Sequence, residues 1–415
     1  MKIGYFIPEF PSQTHAFFWR EREALRGLGV QGELVSTRRP RPGLVSHSWA
    51  REAMAETVYL FPAGLVGMLR GAGEFLRAGG EGRRRWLNAL RAAEAPPGGR
   101  GRMLALALLG AQLGGVAGRA GWSHVHVHSC ADSANIAMFA SMLSGLSYSL
   151  TLHGPLEHYG GNQRQKWSNA RFALVVTQTL RREVGSLLGG HLPEVVEVAP
   201  MGVDLAAFVR GEPYRAWDGC GPLRVFSCGR LNPGKGHHDV IRAIAKVRGS
   251  GLDARLRIAG EDDSHDGGYR KMLTRLIEEL GLGGCVELPG AVSQEDVRAE
   301  LERSHVFCLG SHNEAIGVAT MEAMAMEVPV VVTRVGGVPE LVTDGEHGVL
   351  VEAEAPDAMA EAVLRVALDP VLARALGTAG RRRIAESFHS GVSAMAIASC
   401  LRRTCVAGEA EFEGG

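Results

Sequence analysis

The stretch HVFCLGSHNEAIGVATMEAMAMEVPVVVT, residues 305–333, opens in a short apolar run and breaks at Gly310–Ser311. It then passes through a segment rich in Ala, Met and Glu and closes on a β-branched run. Short apolar runs bounded by turn residues read as buried strands, and the good helix formers between them read as a helix starting near Gly317. The stretch is therefore strand, helix, strand, which is the crossover that a parallel pair of strands needs.

The same alternation recurs on both sides. Downstream of residue 222 the strands LRVFSCGR, ARLRIAG, CVELPG and HGVLVE are interleaved with helices expected over 237–248, 268–280, 294–302, 356–368 and 371–386. Upstream, KIGYFIPEF, GELVST, HVHVHSC, SYSLTLHG, ARFALVVTQT and VVEVAPMG form a second series with its own helices. Residues 41–120 read as mostly helical, interrupted by the loop APPGGRG, and VDLAAFVRGEPYRAWDGCG lacks a period and reads as a connection. Two such series imply two doubly wound α/β domains facing across a cleft. The expected division is 1–200 with a helical insert at about 41–120, then 201–385. A C-terminal helix and tail, 386–415, would pack back toward the first domain. Ligands in such sheets lie beyond the carboxyl ends of the strands. That rule puts Pro11–Thr14, His128, His153, Arg230, Gly260 and Ser311–Gly317 along one cleft.

Composition excludes several classes. Lys+Arg and Asp+Glu balance at 45 each, so no basic field points to nucleic acid. The seven cysteines (130, 220, 228, 285, 308, 400, 405) show no CxxC pairing and read as thiols of a reducing compartment. Pro8, Glu9 and Pro11 interrupt what would be the apolar core of a signal peptide. The uncharged stretch Met103–Gly118 falls short of the roughly 20 residues of a spanning helix. A cytoplasmic protein is expected. Arg70, Arg77, Arg83–Arg85, Arg91, Arg100 and Arg102 lie among Leu and Trp86 on helices. They suit either a solvated face or peripheral contact with the inner face of an anionic membrane.

Three groups of residues invite chemistry. GRLNPGKG (229–236) nearly spells a phosphate loop of the G-x4-G-K-[ST] type, but Gly236 replaces the hydroxyl that would ligate Mg²⁺ and Pro233 removes a backbone donor. What survives is a pair of cations, Arg230 and Lys235, between a strand end and a helix start: an anion site without a metal. Glu314 and Glu322 are eight residues apart. On one helix that spacing separates them by roughly 12 Å along the axis, too far for the acid and base of one glycosidic bond, about 5–9.5 Å apart. They read either as ordinary surface glutamates or as two ends of a clamp on an extended ligand. In the clamp, the backbone N–H groups of Ile316, Gly317 and Val318 face its anionic middle. His124, His126 and His128 alternate on one strand face and offer a ligand set, yet the first two would lie under helices, so no metal is expected. His128, with Asp132 after it, is better placed to touch an acceptor.

NEAIGVATMEAMAMEVPVVVTRVGGVPELVTDGEHGVLVE resembles the C-terminal donor-site signature of the family 4 retaining glycosyltransferases, which have the GT-B fold of two Rossmann-like domains. GRLNPGKG resembles that family's Arg/Lys loop and APMGVD its interdomain crossing. PEFPSQTHAFFWRE, HVHVHSCADSANIA and SLTLHGPLEHY resemble the N-terminal domain of its bacterial exopolysaccharide branch. The resemblance implies a hexose-type transfer from a nucleotide diphosphate sugar, UDP- or GDP-linked, to a hydroxyl acceptor that is a glycan, a lipid-linked glycan or a small glycoside, with no cofactor. It implies that Arg230 and Lys235 hold the diphosphate, Glu314 the sugar hydroxyls and Glu322 the ribose. His153 would lie against the donor sugar, the backbone near Val292 along the base, and Ala315, Ile316, Gly317 and Val318 around the donor. The acceptor side would draw on Ser12, Thr14, His128 and Asp132. The sequence departs from the family at Ala315, Ile316 and Glu327-Val328, and its first turn is Pro11-Ser12-Gln13-Thr14 rather than a glycine pair. A non-hydrolysing epimerase of the same architecture and a non-catalytic nucleotide-sugar binding subunit remain as alternatives.

Overall fold

The computed structural model describes residues 1–12, 15–40, 47–61, 64–95, 98–262 and 268–406. The N-terminal half alternates β1 (Lys2–Glu9), α1 (Ala16–Gly27), β2 (Gln31–Arg38), α2 (Ala50–Glu56) and β3 (Val58–Tyr59). Three helices follow, α3 (Gly64–Arg77), α4 (Gly80–Ala92) and α5 (Arg100–Ala120). It then returns to alternation with β4 (His124–Val127), α6 (Asp132–Ser144), β5 (Ser147–Leu152), α7 (Gln163–Ser168), β6 (Ala173–Val175), α8 (Gln178–Leu188) and β7 (Val196–Val198). These strands form one parallel sheet in the order β3-β2-β1-β4-β5-β6-β7.

The second half runs β8 (Leu223–Cys228), α9 (His237–Gly249), β9 (Ala254–Ala259), α10 (Gly268–Glu279), β10 (Val286–Gly290), α11 (Gln294–Arg303) and β11 (Val306–Leu309). It continues with α12 (Val318–Ala325), β12 (Val330–Thr333), α13 (Val338–Leu341), β13 (Val349–Val351), α14 (Pro356–Leu368), α15 (Pro370–Ser387) and α16 (Gly391–Leu401). Its parallel sheet is ordered β10-β9-β8-β11-β12-β13. The opening stretch is the β11-α12-β12 unit, with Phe307 in register with Val330 and Leu309 with Val332. Both flanks of such strands are covered by helices, so their side chains are apolar throughout rather than alternating.

Two features go beyond the expected pattern. Within 41–120, where most of the described residues are helical, Val58 and Tyr59 pair with Val35 and Ser36 and extend the sheet by an edge strand. A two-residue strand carries no period to detect. Helix α5 is longer than its uncharged core, spanning 21 residues, and is long and apolar enough by composition to cross a membrane. It packs on α6, where Gly110 allows the close approach: an added Cβ would lie 2.6 Å from the Phe139 Cβ and 2.7 Å from the Ile136 carbonyl.

The chain crosses between the two sheets twice, and the crossings run side by side. Val203 donates to the Phe388 carbonyl (2.9 Å) and accepts from Ser390 (3.0 Å). Beyond this strap, α16 buries Ala394, Ile397, Ala398 and Leu401 in one apolar cluster with Phe18, Trp19 and Leu25 of α1. A helix late in the chain thus seals the back of the first sheet. This arrangement fixes how the carboxyl ends of both sheets face one another.

Candidate functional site

A cleft of about 470 Å³ lies where the carboxyl ends of the two sheets meet. From the first sheet it takes His128 after β4 and His153 after β5, with His15, Phe17 and Phe18 from the start of α1. The second contributes Arg230 and Lys235 after β8, Gly260 after β9, Val292 after β10, and Glu314 and Ala315 after β11. Val318 and Glu322 of α12 complete the wall.

The loop GRLNPGKG is shaped by contacts that explain its departure from a phosphate loop. Pro233–Lys235 form one 3₁₀ turn and Gly236 caps α9 with φ +58°. A Cβ on Gly236 would sit 1.7 Å from the Gly310 carbonyl, so a serine or threonine does not fit there. The turn carries Lys235 to Glu314, and the Lys235 ammonium pairs with Glu314 Oε2. Ser311 Oγ donates to the same oxygen at 3.3 Å.

Glu314 is therefore not on the helix with Glu322. Helix α12 begins at Val318, so the axial spacing expected for two residues of one helix does not apply. Glu314 lies in the loop ahead of it, and Gly336, with φ +51°, backs that loop: a Cβ there would meet the Glu314 carbonyl at 2.0 Å. Glu322 lines the cleft from one turn inside α12, and burial pushes its carboxyl up to about 8. A carboxylic acid at neutral pH can donate as well as accept, which suits a pair of vicinal hydroxyls.

On the opposite wall a file of close polar contacts leads out of the core. Tyr5 donates to Glu21 Oε1 at 2.6 Å, and Glu21 Oε1 lies 3.2 Å from His128 Nε2. His128 Nδ1 is 3.3 Å from His153 Nε2, and His153 Nδ1 is 3.2 Å from the Met201 sulfur. Burial, followed by the neighbouring His128, lowers His153 to about 3, so it faces the cleft as a neutral imidazole. Burial raises the Glu21 carboxyl, but the charge of His128 and hydrogen bonds from His128, Ser393 and Tyr5 outweigh it and hold the group below its usual value. His15 is lowered to about 3 by burial and then by the Arg230 guanidinium across the cleft.

The anticipated acceptor side is redrawn. Ser12 does not line the cleft; its carbonyl accepts from the His15 amide at 3.0 Å and starts α1. Asp132 does not line it either. It stands in the first turn of α6 and its carboxylate pairs outward with Arg102. Thr14 lies outside the described residues. Ile316 is buried in the core at 1% exposure, and Gly317 caps α12 with φ +94°, so neither side of that step forms the wall. His124 and His126 are fully buried with hydroxyl partners: Ser147 and Ser149 at 2.7 Å for His124, and Ser149 at 2.7 Å and Thr151 at 2.9 Å for His126. Both are satisfied core histidines. Residues not singled out by pattern, His15, Phe17, Phe18, Tyr159 and Met201, stand in the wall instead. The only sequence signal for the first three was the stretch THAFFW after a strand end.

Residues 221–383 match the family described as glycosyl transferases group 1. A colanic acid biosynthesis glycosyltransferase of Escherichia coli K12, WcaL, is 28% identical over 426 residues, covering 97% of this chain and all of that protein. Its Salmonella typhimurium namesake is 31% identical over 255 residues, 60% of each chain. The crystal structure of Anabaena Alr3699/HepE in complex with UDP and glucose superposes with a TM-score of 0.74 at 18% identity, covering 97% of this chain and all of that one. That likeness concerns the fold: two parallel-sheet α/β domains of the GT-B type. Residues 221–383 of this chain thus carry a domain of the group 1 glycosyl transferase type, within a chain that has the GT-B fold.

Proposed function

We propose that the protein is a retaining, metal-independent transferase that moves a hexose-type sugar from a nucleotide diphosphate sugar to a hydroxyl acceptor. The observation that carries this reading is the meeting, in one cleft, of Lys235 and Glu314 from one sheet with the neutral His153 from the other. Arg230, Lys235 and the N-terminus of α12 supply positive potential for a departing diphosphate, so the charge compensation comes from the protein. Each charge-assisted contact contributes about 1.5–3 kcal/mol. Glu314 takes the sugar hydroxyls, Glu322 the ribose, and Val292 borders the base. On this reading the Lys235–Glu314 pair of the free protein opens when the diphosphate takes the ammonium and the sugar takes the carboxylate. UDP- and GDP-sugars are the favoured donors; the bound UDP and glucose of the Anabaena neighbour support the first. The acceptor, of glycan or lipid-linked type, enters on the side of residues 1–200, against His128 and the start of α1.

The protein is proposed to work in the cytoplasm at the inner face of the membrane. Val66, Leu69 and Leu76 of α3 are 61%, 61% and 70% exposed, near Arg70 and Arg77, and suit contact with anionic lipid.

The test is a thermal-shift screen over UDP-, GDP-, ADP- and dTDP-sugars, followed by NMR of the product formed from the stabilising donor. A new glycosidic bond with the donor's anomeric configuration is expected. An inverted anomer overturns retention, and a free epimerised sugar nucleotide overturns transfer.

A further inference from the structure

Behind the Lys235 loop, away from the cleft wall, three potential ligands converge. The coordinating atoms of His238, Asp239 and His312 all lie within 4.8 Å of one another. Asp239 Oδ2 is 2.7 Å from His312 Nε2 and 3.6 Å from His238 Nε2. Bonds of about 2.0–2.2 Å in a tetrahedral zinc site put ligand atoms roughly 3.4 Å apart, so the Asp239–His312 pair would open by about 0.7 Å and no pair would change by more than about 1.4 Å. The Asp239 side chain is 7% exposed, while those of His238 and His312 are 18% and 25% exposed, leaving the histidine side open to an ion and a water.

The outer contacts form a second, independent observation. Each histidine presents Nε2 to Asp239, and the far nitrogen of His238 is held from behind. His238 Nδ1 is 2.8 Å from the Tyr269 hydroxyl, and His312 Nδ1 is 3.6 Å from the Glu354 carboxylate. Metal-binding histidines are oriented by such partners on the far nitrogen. Arg242 reaches the other oxygen, Oδ1, at 3.3 Å and leaves Oδ2 to the two histidines.

We propose that His238, Asp239 and His312 bind one zinc-type divalent ion that braces the donor loops. Two imidazoles and a carboxylate suit zinc and exclude magnesium, which favours oxygen ligands. His238 lies three residues after Lys235 and His312 two before Glu314, and the His312 amide already donates to the Gly234 carbonyl at 2.9 Å. The ion would tie the α9 start to the β11–α12 loop and hold the Lys235–Glu314 pair in register. Its role is structural and separate from the transfer step.

The full chain, stripped with chelator, is titrated with zinc chloride by calorimetry and followed by hydrogen exchange. One equivalent is expected to bind with micromolar or tighter affinity and to slow exchange over 231–240 and 311–318. His238→Ala and His312→Ala each weaken binding at least tenfold, Cys220→Ser at an exposed cysteine leaves it unchanged, and magnesium produces no heat. Absence of saturable zinc binding overturns the proposal, as does binding that survives the double histidine variant. Should those variants fail to fold, cobalt(II) spectra of the unaltered chain decide. Ligand-field bands without thiolate charge transfer support the site, and thiolate bands overturn it.

Discussion

Glu340, in the GGVPE segment of the second sheet's domain, caps a helix of the first. Its carboxylate accepts from the backbone amides of Gln178 at 2.7 Å and Thr179 at 2.8 Å, the first residues of α8, and from the Thr179 hydroxyl at 2.8 Å. A glutamate placed by resemblance within the donor-site signature thus also tethers the two domains. The helix start supplies orphan N–H groups and a positive end, both of which favour a carboxylate.

Glu340→Ala is expected to lose about 1–2 kcal/mol, the usual range for a lost helix cap. The check is an apparent Tm lowered by several degrees together with faster hydrogen exchange at Gln178 and Thr179. Unchanged exchange there would show that water replaces the tether without cost.

Lys235→Ala removes the ammonium that faces both Glu314 and the proposed diphosphate. Turnover is expected to fall at least tenfold, corresponding to about 1.4 kcal/mol or more, with little change in thermal stability. Near-normal kcat/KM would remove Lys235 from the donor site.

The two buried carboxyls titrate with opposite sign. Glu322 is raised to about 8 in the folded chain from an ordinary value of 4.5, so its stabilising contribution is complete below about 4.5 and is lost as pH rises toward 8. Glu322→Gln should flatten the fall in Tm across that window and weaken nucleotide binding measured by calorimetry. A variant with the parental pH profile would show that Glu322 is not the titrating group.

Glu21 behaves the other way. Its folded value is depressed, so its contribution is present above the unfolded value and is lost as pH falls through the folded one. Glu21→Ala should cost about 3–5 kcal/mol, because the Tyr5 hydroxyl and His128 lose a buried partner. Glu21→Gln, which keeps a hydrogen-bonding oxygen, should retain the fold and lose the acid-side slope of Tm against pH.

Gly236→Ser completes the phosphate-loop consensus on paper. Because φ is +58° and the Cβ would meet the Gly310 carbonyl at 1.7 Å, the substitution is expected to displace the Lys235 turn. Donor binding should weaken and no triphosphatase activity should appear; hydrolysis of ATP by the variant would contradict the steric account.

Local pattern was sufficient for the strands and helices that are long and fully covered. The runs VFCL and VVVT fold as β11 and β12, and helix α12 starts one residue after Gly317, because burial on both faces demands continuous apolar residues. It was insufficient for β3, whose two residues pair only because β2 lies beside them. The cations and glutamates after β8 and β11 were legible because strand ends in such sheets point into a cleft whatever the exact packing. The facing wall was not legible. Ser12 and Asp132 satisfied the strand-end rule, yet one is spent on starting α1 and the other is drawn outward by Arg102, a residue thirty positions away.

The sequence by itself determined the two alternating series, the cleft between them and the charged residues that enter it, since each depends on short-range periodicity and turn chemistry. Only the tertiary structure decided which partners those residues meet. Lys235 with Glu314, Glu21 with His128, Glu340 with the start of α8, and His238 with His312 are all pairs distant in sequence. Their meeting depends on strand order and on the double crossing at Val203 and His389, which no local pattern encodes.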